Sequence, residues 1–342
     1  MYENFFALSK APFSVAVDPE CIHLTAQHTD VIGGLAFGVL ERKGYMMLTG
    51  EAGLGKTTAI AALLQVLMES NALASVIFTP TLSSSEFLDL AMLNFGFKDV
   101  PGSKARTLKM LEEFLIKADA KGRVVALIVD EAHRLSPDLL EEIRLLGNFE
   151  SGGSKLLQIV LVGQNQLSTQ LNLPELWQLK QRIALRLSLR RLDRDAVEEY
   201  VRFRWRNAGG EPFPFGAAAM DAIASWSNGV PRLINVICDN ALLIAFSNSE
   251  RNVDAEMVFE ACEELALPRP AASENRRSLD EPKPTQMPAG TLAVPAVTTV
   301  PPEEHANGSA PVRPSRLKTW FGMGARAKPV RSRTGILLLK EP

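Results

Sequence analysis

The feature that most constrains the fold is a glycine-rich stretch near the N-terminus. It reads Gly50-Glu51-Ala52-Gly53-Leu54-Gly55-Lys56-Thr57, which has the spacing G-x-x-x-x-G-K-[ST]. An apolar run, Tyr45–Thr49, precedes it, and a helical pattern near Thr57–Glu69 follows. In this context glycines let backbone N–H groups face phosphate oxygens, and the helix N-terminus adds positive potential. The sequence therefore predicts a phosphate-binding loop.

Two side chains of this loop predict the ligands ATP and Mg²⁺. Lys56 would reach the β- and γ-phosphates, and the Thr57 hydroxyl would ligate Mg²⁺. The remaining residues predicted to bind nucleotide are Gly50, Glu51, Ala52, Gly53, Leu54, Gly55 and Thr58.

A second apolar run, Val124–Val129, ends in two adjacent carboxylates, Asp130 and Glu131. Ligands of open α/β sheets lie at the carboxyl ends of the strands. Asp130 is predicted to hold Mg²⁺, and Glu131 to activate the attacking water. One further strand candidate, Ala74–Thr79, lies between the loop and this pair, which favours ATP hydrolysis over a kinase or GTPase.

The order of apolar runs and amphipathic stretches predicts an α/β fold, a P-loop NTPase with a parallel sheet flanked by helices. Further strands are expected at Gln158–Val162 and Ile183–Leu189, and helical patterns alone follow Leu189. The predicted domains are a P-loop core with an N-terminal arm (1–190), a small all-helical lid (191–267) and a Pro-rich disordered tail (268–342). The end of the tail, residues 313–340, is basic and contains Trp320.

Composition limits the class of protein. Hydrophobic residues make up 46% and charged residues 22%, as in globular domains. A net charge of -2 excludes a protein that coats nucleic acid with its whole surface. The uncharged stretches Leu156–Pro174 and Pro284–Pro302 are too polar or too rich in proline to span a membrane, so no transmembrane span is expected. These features predict a cytoplasmic protein.

Two further positions are candidates for sensing the nucleotide. Gln164, with Asn165 as the reserve, follows the strand at Gln158–Val162 and would lie between the phosphate loop and the acidic pair; ordinary loop polarity is the alternative. Arg232 opens a helix in the lid after Pro231 and would face the nucleotide across the domain cleft.

Arg182 opens the last strand and is a candidate arginine finger that acts on the nucleotide of a neighbouring subunit. The alternative is a surface salt bridge, and Arg186, Arg190 and Arg191 are nearby competitors for the role.

Several dispersed motifs carry a resemblance to a known family. The opening Met1-Tyr2-Glu3-Asn4-Phe5-Phe6 is one. The most specific block consists of Glu141-Glu142-Ile143-Arg144-Leu145-Leu146, Asn148-Phe149-Glu150 and Lys155-Leu156-Leu157-Gln158-Ile159-Val160-Leu161-Val162-Gly163-Gln164. Gln181-Arg182-Ile183 and Pro231-Arg232-Leu233-Ile234-Asn235 complete the set. Over residues 1–267 the chain resembles the AAA+ ATPases of the ExeA/GspA general-secretion family, which are similar in turn to transposition ATPases of the TniB type.

The resemblance implies an AAA+ core with a helical lid, ATP with Mg²⁺, and a homo-oligomer. By position, Arg182 matches the family's Q-R-I arginine and Arg232 its sensor 2 arginine. The chain departs from the family pattern at His133, where Gln is usual, and at Asn165-Gln166, where Pro-Glu is usual. Residues 268–342 match neither the membrane span nor the peptidoglycan-binding domain of the type II secretion members.

Three functions remain open on this reading. The leading hypothesis is an ATP-hydrolysing AAA+ protein that drives assembly or export in secretion or envelope biogenesis with a protein partner, in the cytoplasm or peripherally at the inner membrane. One alternative is a transposition regulator that binds duplex DNA. The other is a nucleotide-switched adaptor that is tethered by its basic tail.

Other polar and aromatic residues are interpreted without a ligand. His28 and His133 are expected to be solvated loop residues rather than metal ligands, because neither has a second ligand at metal spacing. Phe5, Phe6 and Phe13 are expected to pack an N-terminal arm onto the core.

Overall fold

The fold is seen in a computed structural model, which describes residues 2–14, 24–78 and 82–269 of the 342. The predicted tail falls outside the described residues from position 270 onward. In chain order the elements are α1 (Tyr2–Phe5), α2 (Ala26–Leu40), β1 (Tyr45–Thr49), α3 (Lys56–Glu69), β2 (Leu73–Ile77), α4 (Ser84–Asn94), α5 (Lys104–Ala120), β3 (Val125–Val129), α6 (Pro137–Leu146), β4 (Glu150–Ser151), β5 (Ser154–Lys155), β6 (Leu157–Gly163), α7 (Gln166–Gln170), α8 (Trp177–Arg182), β7 (Ile183–Ser188), α9 (Arg194–Asn207), α10 (Ala217–Ser227), α11 (Pro231–Ser247) and α12 (Ala255–Glu264).

Five strands of the described residues form one sheet in the order β2-β3-β6-β1-β7, and every pairing is parallel. This confirms the α/β fold predicted from the sequence. The last residue of β1, Thr49, pairs with Gly163 of β6 and with Ser188 of β7. The carboxyl ends of these strands therefore meet at one edge of the sheet, and β6 lies between β1 and β3.

The strands bury both faces of the sheet by alternation of their side chains. In β1, Tyr45 and Met47 belong to an apolar cluster that includes residues of α4, α5 and α6. Met46 and Leu48 belong to a second cluster, with residues of α2 and α3. Successive strand residues point to opposite faces, so helices cover the sheet on both sides. A strand that is buried on both faces consists almost entirely of apolar residues, so a short continuous apolar run in the sequence indicates such a strand.

Local signals account for several helix starts. The Ser136 side chain accepts a hydrogen bond from the Leu139 backbone N–H at 3.2 Å, and Pro137 is the first residue of α6. Ser83 and Glu86 form a reciprocal capping box at the start of α4. Helix α2 was not among the predicted elements.

The helices α9–α12 share a third apolar cluster with the N-terminal arm, residues 2–14. The Phe6 ring packs edge-on against Trp205 with centroids 5.7 Å apart, and Phe13 packs against Phe215 at 6.0 Å. Arg204 donates hydrogen bonds to the carbonyls of Pro12 and Ser14. The expectation that the arm packs onto the P-loop core is therefore wrong. The arm packs instead onto helices far along the chain, with which it shares a buried apolar cluster.

Among the described residues, no helix combines the length and the apolar character needed to cross a membrane.

The arm–helix contact yields a stability prediction. Phe13 is 1% exposed. The change Phe13→Ala should lower the free energy of unfolding by about 3 kcal/mol or more, because it removes a buried ring and leaves a cavity. Urea unfolding followed by circular dichroism measures the loss. The control is Phe259→Ala on α12, where the ring is 45% exposed and the loss should be small. Equal losses in the two variants would contradict the packing of the arm.

Candidate functional site

The glycine-rich loop joins the carboxyl end of β1 to the N-terminus of α3. Gly53 and Gly55 adopt positive φ angles of 82° and 92°, a region that favours glycine. Gly55 is the residue that caps α3. At Gly50, an added Cβ would lie 3.1 Å from the Leu189 carbonyl oxygen, so a larger residue would crowd the loop. The loop thus presents free backbone N–H groups at a helix N-terminus, which is an anion-binding arrangement.

The Lys56 side chain lies on the inner side of this loop and is 6% exposed. Its Nζ donates hydrogen bonds to the carbonyl oxygens of Gly50 and Glu51, both at 2.9 Å. Burial lowers the pKa of Lys56, while the Glu131 and Asp130 carboxylates oppose that shift. The ammonium group is therefore held where a phosphate cradled by the loop would meet it.

Asp130 follows β3 and lies opposite the start of α3. Its Oδ2 accepts a hydrogen bond from the Thr57 hydroxyl at 3.2 Å, and its Oδ1 accepts one from the Glu131 backbone N–H at 2.8 Å. Burial raises the pKa of the Asp130 carboxyl. A hydroxyl and a carboxylate side by side beside a phosphate loop are the hard oxygen donors that Mg²⁺ takes together with phosphates. The two residues fit the predicted metal site.

Glu131 is held by an unusual backbone conformation. Its φ angle is 53°, in the left-handed region, which costs a non-glycine residue roughly 1–3 kcal/mol. The side chain is 36% exposed, and its Oε2 lies 3.6 Å from Nε2 of His133. A partly exposed carboxylate next to the Asp130 site is suited to accept a proton from water.

Gln164 lies directly beside the phosphate loop. It follows Gly163, whose carbonyl accepts a hydrogen bond from the Gly50 N–H at 3.2 Å. A cleft of about 320 Å³ at this position is lined by Glu51, Gln164, Asn165, Gln166 and Thr169. The structure therefore brings both Gln164 and its reserve, Asn165, to the loop.

Arg232 also reaches the loop, at the start of α11. Its backbone N–H points to the Gly53 carbonyl oxygen at 3.3 Å, and a Cβ added to Gly53 would lie 2.9 Å from the Arg232 Cβ. Helix α11 can approach the loop this closely because Gly53 has no side chain. Arg232 therefore lies next to the phosphate loop, as a residue that senses the nucleotide would have to.

Arg182 lies elsewhere, at the opposite edge of the sheet. It ends α8 and precedes Ile183, which pairs with Tyr45 at the amino end of β1. The strand separates this edge from the loop by about 13 Å. The Arg182 guanidinium donates to the Arg144 carbonyl and to Asn148 Oδ1, at 3.2 and 2.7 Å. The structure does not bring Arg182 to the loop of its own chain.

Two residues contact the loop in a way that the sequence did not predict. His28, on α2, is 6% exposed, and its Nε2 lies 3.2 Å from the Leu54 carbonyl oxygen. Arg191 forms a bidentate ion pair with the Glu51 carboxylate, with a shortest distance of 2.6 Å. Both contacts join residues far apart in the chain, so no local pattern could reveal them.

The expectation of two solvated loop histidines is also wrong. His28 is buried in a helix, and the His133 side chain is 13% exposed, in the short 3₁₀ turn Ala132–Arg134 that follows β3. Each ring packs where a backbone carbonyl or N–H needs a partner, because buried polar groups require hydrogen bonds.

Comparison with known proteins agrees with this geometry. A family model described as AAA domain matches residues 39–171, which include the phosphate loop and the acidic pair. General secretion pathway protein A of Aeromonas hydrophila is 38% identical over 257 residues, which is 74% of this chain and 46% of that protein. The chain therefore contains an AAA domain and is similar to a protein of the ExeA/GspA type over about three quarters of its length. The predicted resemblance is thereby confirmed, and the chain spans about half the length of the curated relative it matches.

Two solved structures share the fold of this chain. The ORC2 protein of Aeropyrum pernix, solved in ADPNP and ADP complexes, has a TM-score of 0.57 and 16% identity, and the match covers 75% of this chain and 72% of that one. Cdc6p of Pyrobaculum aerophilum has a TM-score of 0.58 and 20% identity, with 74% and 70% of the two chains covered. At such identities the likeness shows the fold alone.

The contact between His28 and the loop predicts a pH dependence of stability. Burial lowers the pKa of His28 from its ordinary value of 6.5, with the Leu54 carbonyl opposing the shift. The unfolded chain then binds the proton more readily, so stability is full above this value and falls as the pH drops below it. One pH unit below, the loss is at most about 1.4 kcal/mol. Urea unfolding of wild type and His28→Gln at about pH 7.5 and about pH 5.5 measures it. Gln can keep a donor for Leu54 but does not titrate, so its loss between the two pH values should be smaller; an equal loss would contradict the assignment.

Proposed function

We propose that this chain is an Mg²⁺-dependent ATPase of the ExeA/GspA type. The observation that carries the proposal is the convergence of Lys56, Thr57, Asp130 and Glu131 around one phosphate-binding loop. Each of these residue types has a part in phosphoryl transfer from a nucleotide to water. Two of them come from the start of α3 and two from the segment that follows β3.

In the proposed reaction, the loop N–H groups and Lys56 hold the β- and γ-phosphates of ATP. Lys56 gives up its bonds to the carbonyls of Gly50 and Glu51 and turns to the phosphate oxygens, where its charge offsets the negative charge that develops. The Thr57 hydroxyl and the Asp130 carboxylate would hold Mg²⁺, which would offset negative charge on the phosphates when bound.

Glu131 is the proposed general base. It orients a water molecule in line with the γ-phosphorus and accepts the proton as the new P–O bond forms. The bond between the γ-phosphorus and the β,γ-bridging oxygen breaks, and ADP leaves with that electron pair. The products are ADP, inorganic phosphate and a proton, so atoms and charge balance.

Arg182 is proposed to complete the site from a neighbouring subunit. Its place at the amino edge of the sheet, away from the loop of its own chain, supports a role in trans. A homo-oligomer in which this edge of one copy faces the loop of the next would supply the arginine to the γ-phosphate.

Arg232 and Gln164 would read the nucleotide within the chain, from α11 and from the end of β6.

The proposed biological setting is assembly or export in secretion or envelope biogenesis, with a protein partner on the cytoplasmic side or at the inner membrane. The relative named General secretion pathway protein A supports this choice. The tail on which the adaptor alternative depends lies outside the described residues.

Steady-state ATP hydrolysis tests the assignment of the base. Glu131→Gln keeps the shape and hydrogen-bonding capacity of the side chain but cannot accept the proton, so kcat should fall by about 100-fold or more while ATP still binds. Lys56→Ala should lose both binding and turnover. Binding is measured with a fluorescent ATP analogue. Normal turnover in Glu131→Gln would show that another group is the base.

The same assay with duplex DNA decides between the candidate functions. Turnover that is indifferent to DNA supports a protein-directed machine. Stimulation by DNA that weakens steeply with salt would favour the transposition alternative and contradict the secretion proposal.

Mixing two inactive variants tests the role of Arg182 in trans. Arg182→Ala alone should lose about 1000-fold or more in kcat. In a random equal mixture of Arg182→Ala with Glu131→Gln, roughly a quarter of the subunit interfaces regain an intact base and an intact arginine, so turnover should return to that fraction. A mixture as inactive as its components would place Arg182 outside the site.

A further inference from the structure

His133 stands between the base and the phosphate loop, and no role is assigned to it. It lies two residues after Glu131 in the 3₁₀ turn Ala132–Arg134. Its Nδ1 accepts a hydrogen bond from the Gln164 backbone N–H at 3.3 Å. Because Nδ1 is an acceptor there, the proton of the neutral ring sits on Nε2. That Nε2–H faces Oε2 of Glu131 at 3.6 Å, slightly beyond hydrogen-bond distance.

The peptide group that binds His133 is also hydrogen-bonded to the phosphate loop. The N–H of Gln164 and the carbonyl of Gly163 belong to one peptide group. That carbonyl accepts the hydrogen bond from the Gly50 N–H at 3.2 Å. A single peptide group at the end of β6 therefore binds the first residue of the loop on one side and His133 on the other. Hydrogen bonds in such a chain polarise one another, so a change in the bond made by Gly50 also changes the bond made by His133.

The packing around the ring leaves it little freedom. A Cβ added to Gly163 would lie 3.1 Å from the His133 backbone nitrogen and 3.4 Å from its Nδ1. The approach of the turn to β6 thus depends on a glycine at the strand end. Glu131, on the other side, has its backbone held at a φ of 53°, so its carboxylate moves mainly through its own side-chain torsions. The imidazole N–H is a fixed donor beside a movable carboxylate.

We propose that His133 is a positioning residue for Glu131, which couples the orientation of the base to the occupancy of the phosphate loop. Nucleotide phosphates that bind the loop shift Gly50 and, through the Gly163–Gln164 peptide, the ring of His133. The ring then draws the Glu131 carboxylate from 3.6 Å into hydrogen-bond distance and aims its second oxygen at the attacking water. This inference rests on the proposed ATPase function and adds the control of its base.

Two conservative variants separate the two contacts of the ring. Asn at position 133 has its terminal atoms near the place of Nδ1, so His133→Asn keeps an acceptor for Gln164 but loses the donor to Glu131. Gln reaches the place of Nε2, so His133→Gln keeps a donor for Glu131 but loses the acceptor. We expect kcat to fall by about 10- to 100-fold in His133→Asn and clearly less in His133→Gln, with KM for ATP near the wild-type value in both.

A double-variant cycle shows whether the effect passes through the base. In the Glu131→Gln background, His133→Asn should cause no further loss of kcat, because the residue it positions no longer acts as a base. The control is Arg134→Gln, an exposed neighbour in the same turn, which should keep wild-type kcat. Equal losses of kcat in the Asn and Gln variants, or a full further loss in the double variant, would overturn the proposal.

A measurement that needs no turnover keeps this inference separate from the proposed function. The ¹⁵N NMR signals of the His133 ring, assigned by their loss in His133→Gln, should show the Nε2–H tautomer in the nucleotide-free protein and shift when ADPNP is added. An Nδ1–H tautomer, or a ring unchanged by ADPNP that binds, would overturn the coupling. If these shifts appear but wild type does not hydrolyse ATP, the proposed function fails while the coupling of the ring to the loop holds.

Discussion

The site depends on the parallel pairing of β1 between β6 and β7. Thr49 pairs with Gly163, and the next residue, Gly50, continues the pairing with a hydrogen bond to the Gly163 carbonyl. This register sets where the phosphate loop leaves the sheet. A slip of one residue would reverse which side chains face each layer of helices, so the apolar faces of β1 hold the register in place. The positions of Lys56 and Gln164 follow from it.

The strand order of the same sheet sets the position of the acidic pair, Asp130 and Glu131. β3 ends on the far side of β6, and β6 is the only strand between it and β1 in the described sheet. The Thr57 hydroxyl can therefore reach Asp130 across the strand ends, and His133 can reach the backbone of Gln164. Burial alone would penalise the charges of Lys56 and Asp130. Their mutual attraction across the site partly offsets that penalty.

The local motifs were predictable because each depends on residues close together in the chain. The loop at Gly50–Thr57, the capped start of α6 at Ser136 and the buried runs of the strands carry their own signals of spacing and polarity. The arm at Phe13, the buried His28 and the Glu51–Arg191 pair were not predictable, since each joins segments that are distant in sequence. Their partners become neighbours only after the chain has folded, and no pattern within either segment indicates the other.

The sequence by itself determined the fold class, the phosphate loop, the acidic pair and the likeness to the ExeA/GspA family, because these follow from periodicity and from fixed spacings. Tertiary structure decided which residues meet. It placed Gln164 and Arg232 at the loop, Arg182 at the opposite edge of the sheet, and His133 between Glu131 and the Gly163–Gln164 peptide. The physical reason is that the chemistry of a side chain is set by the residue itself, whereas the distance between two side chains is set by how strands and helices pack. The order of these elements in the folded structure differs from their order along the chain.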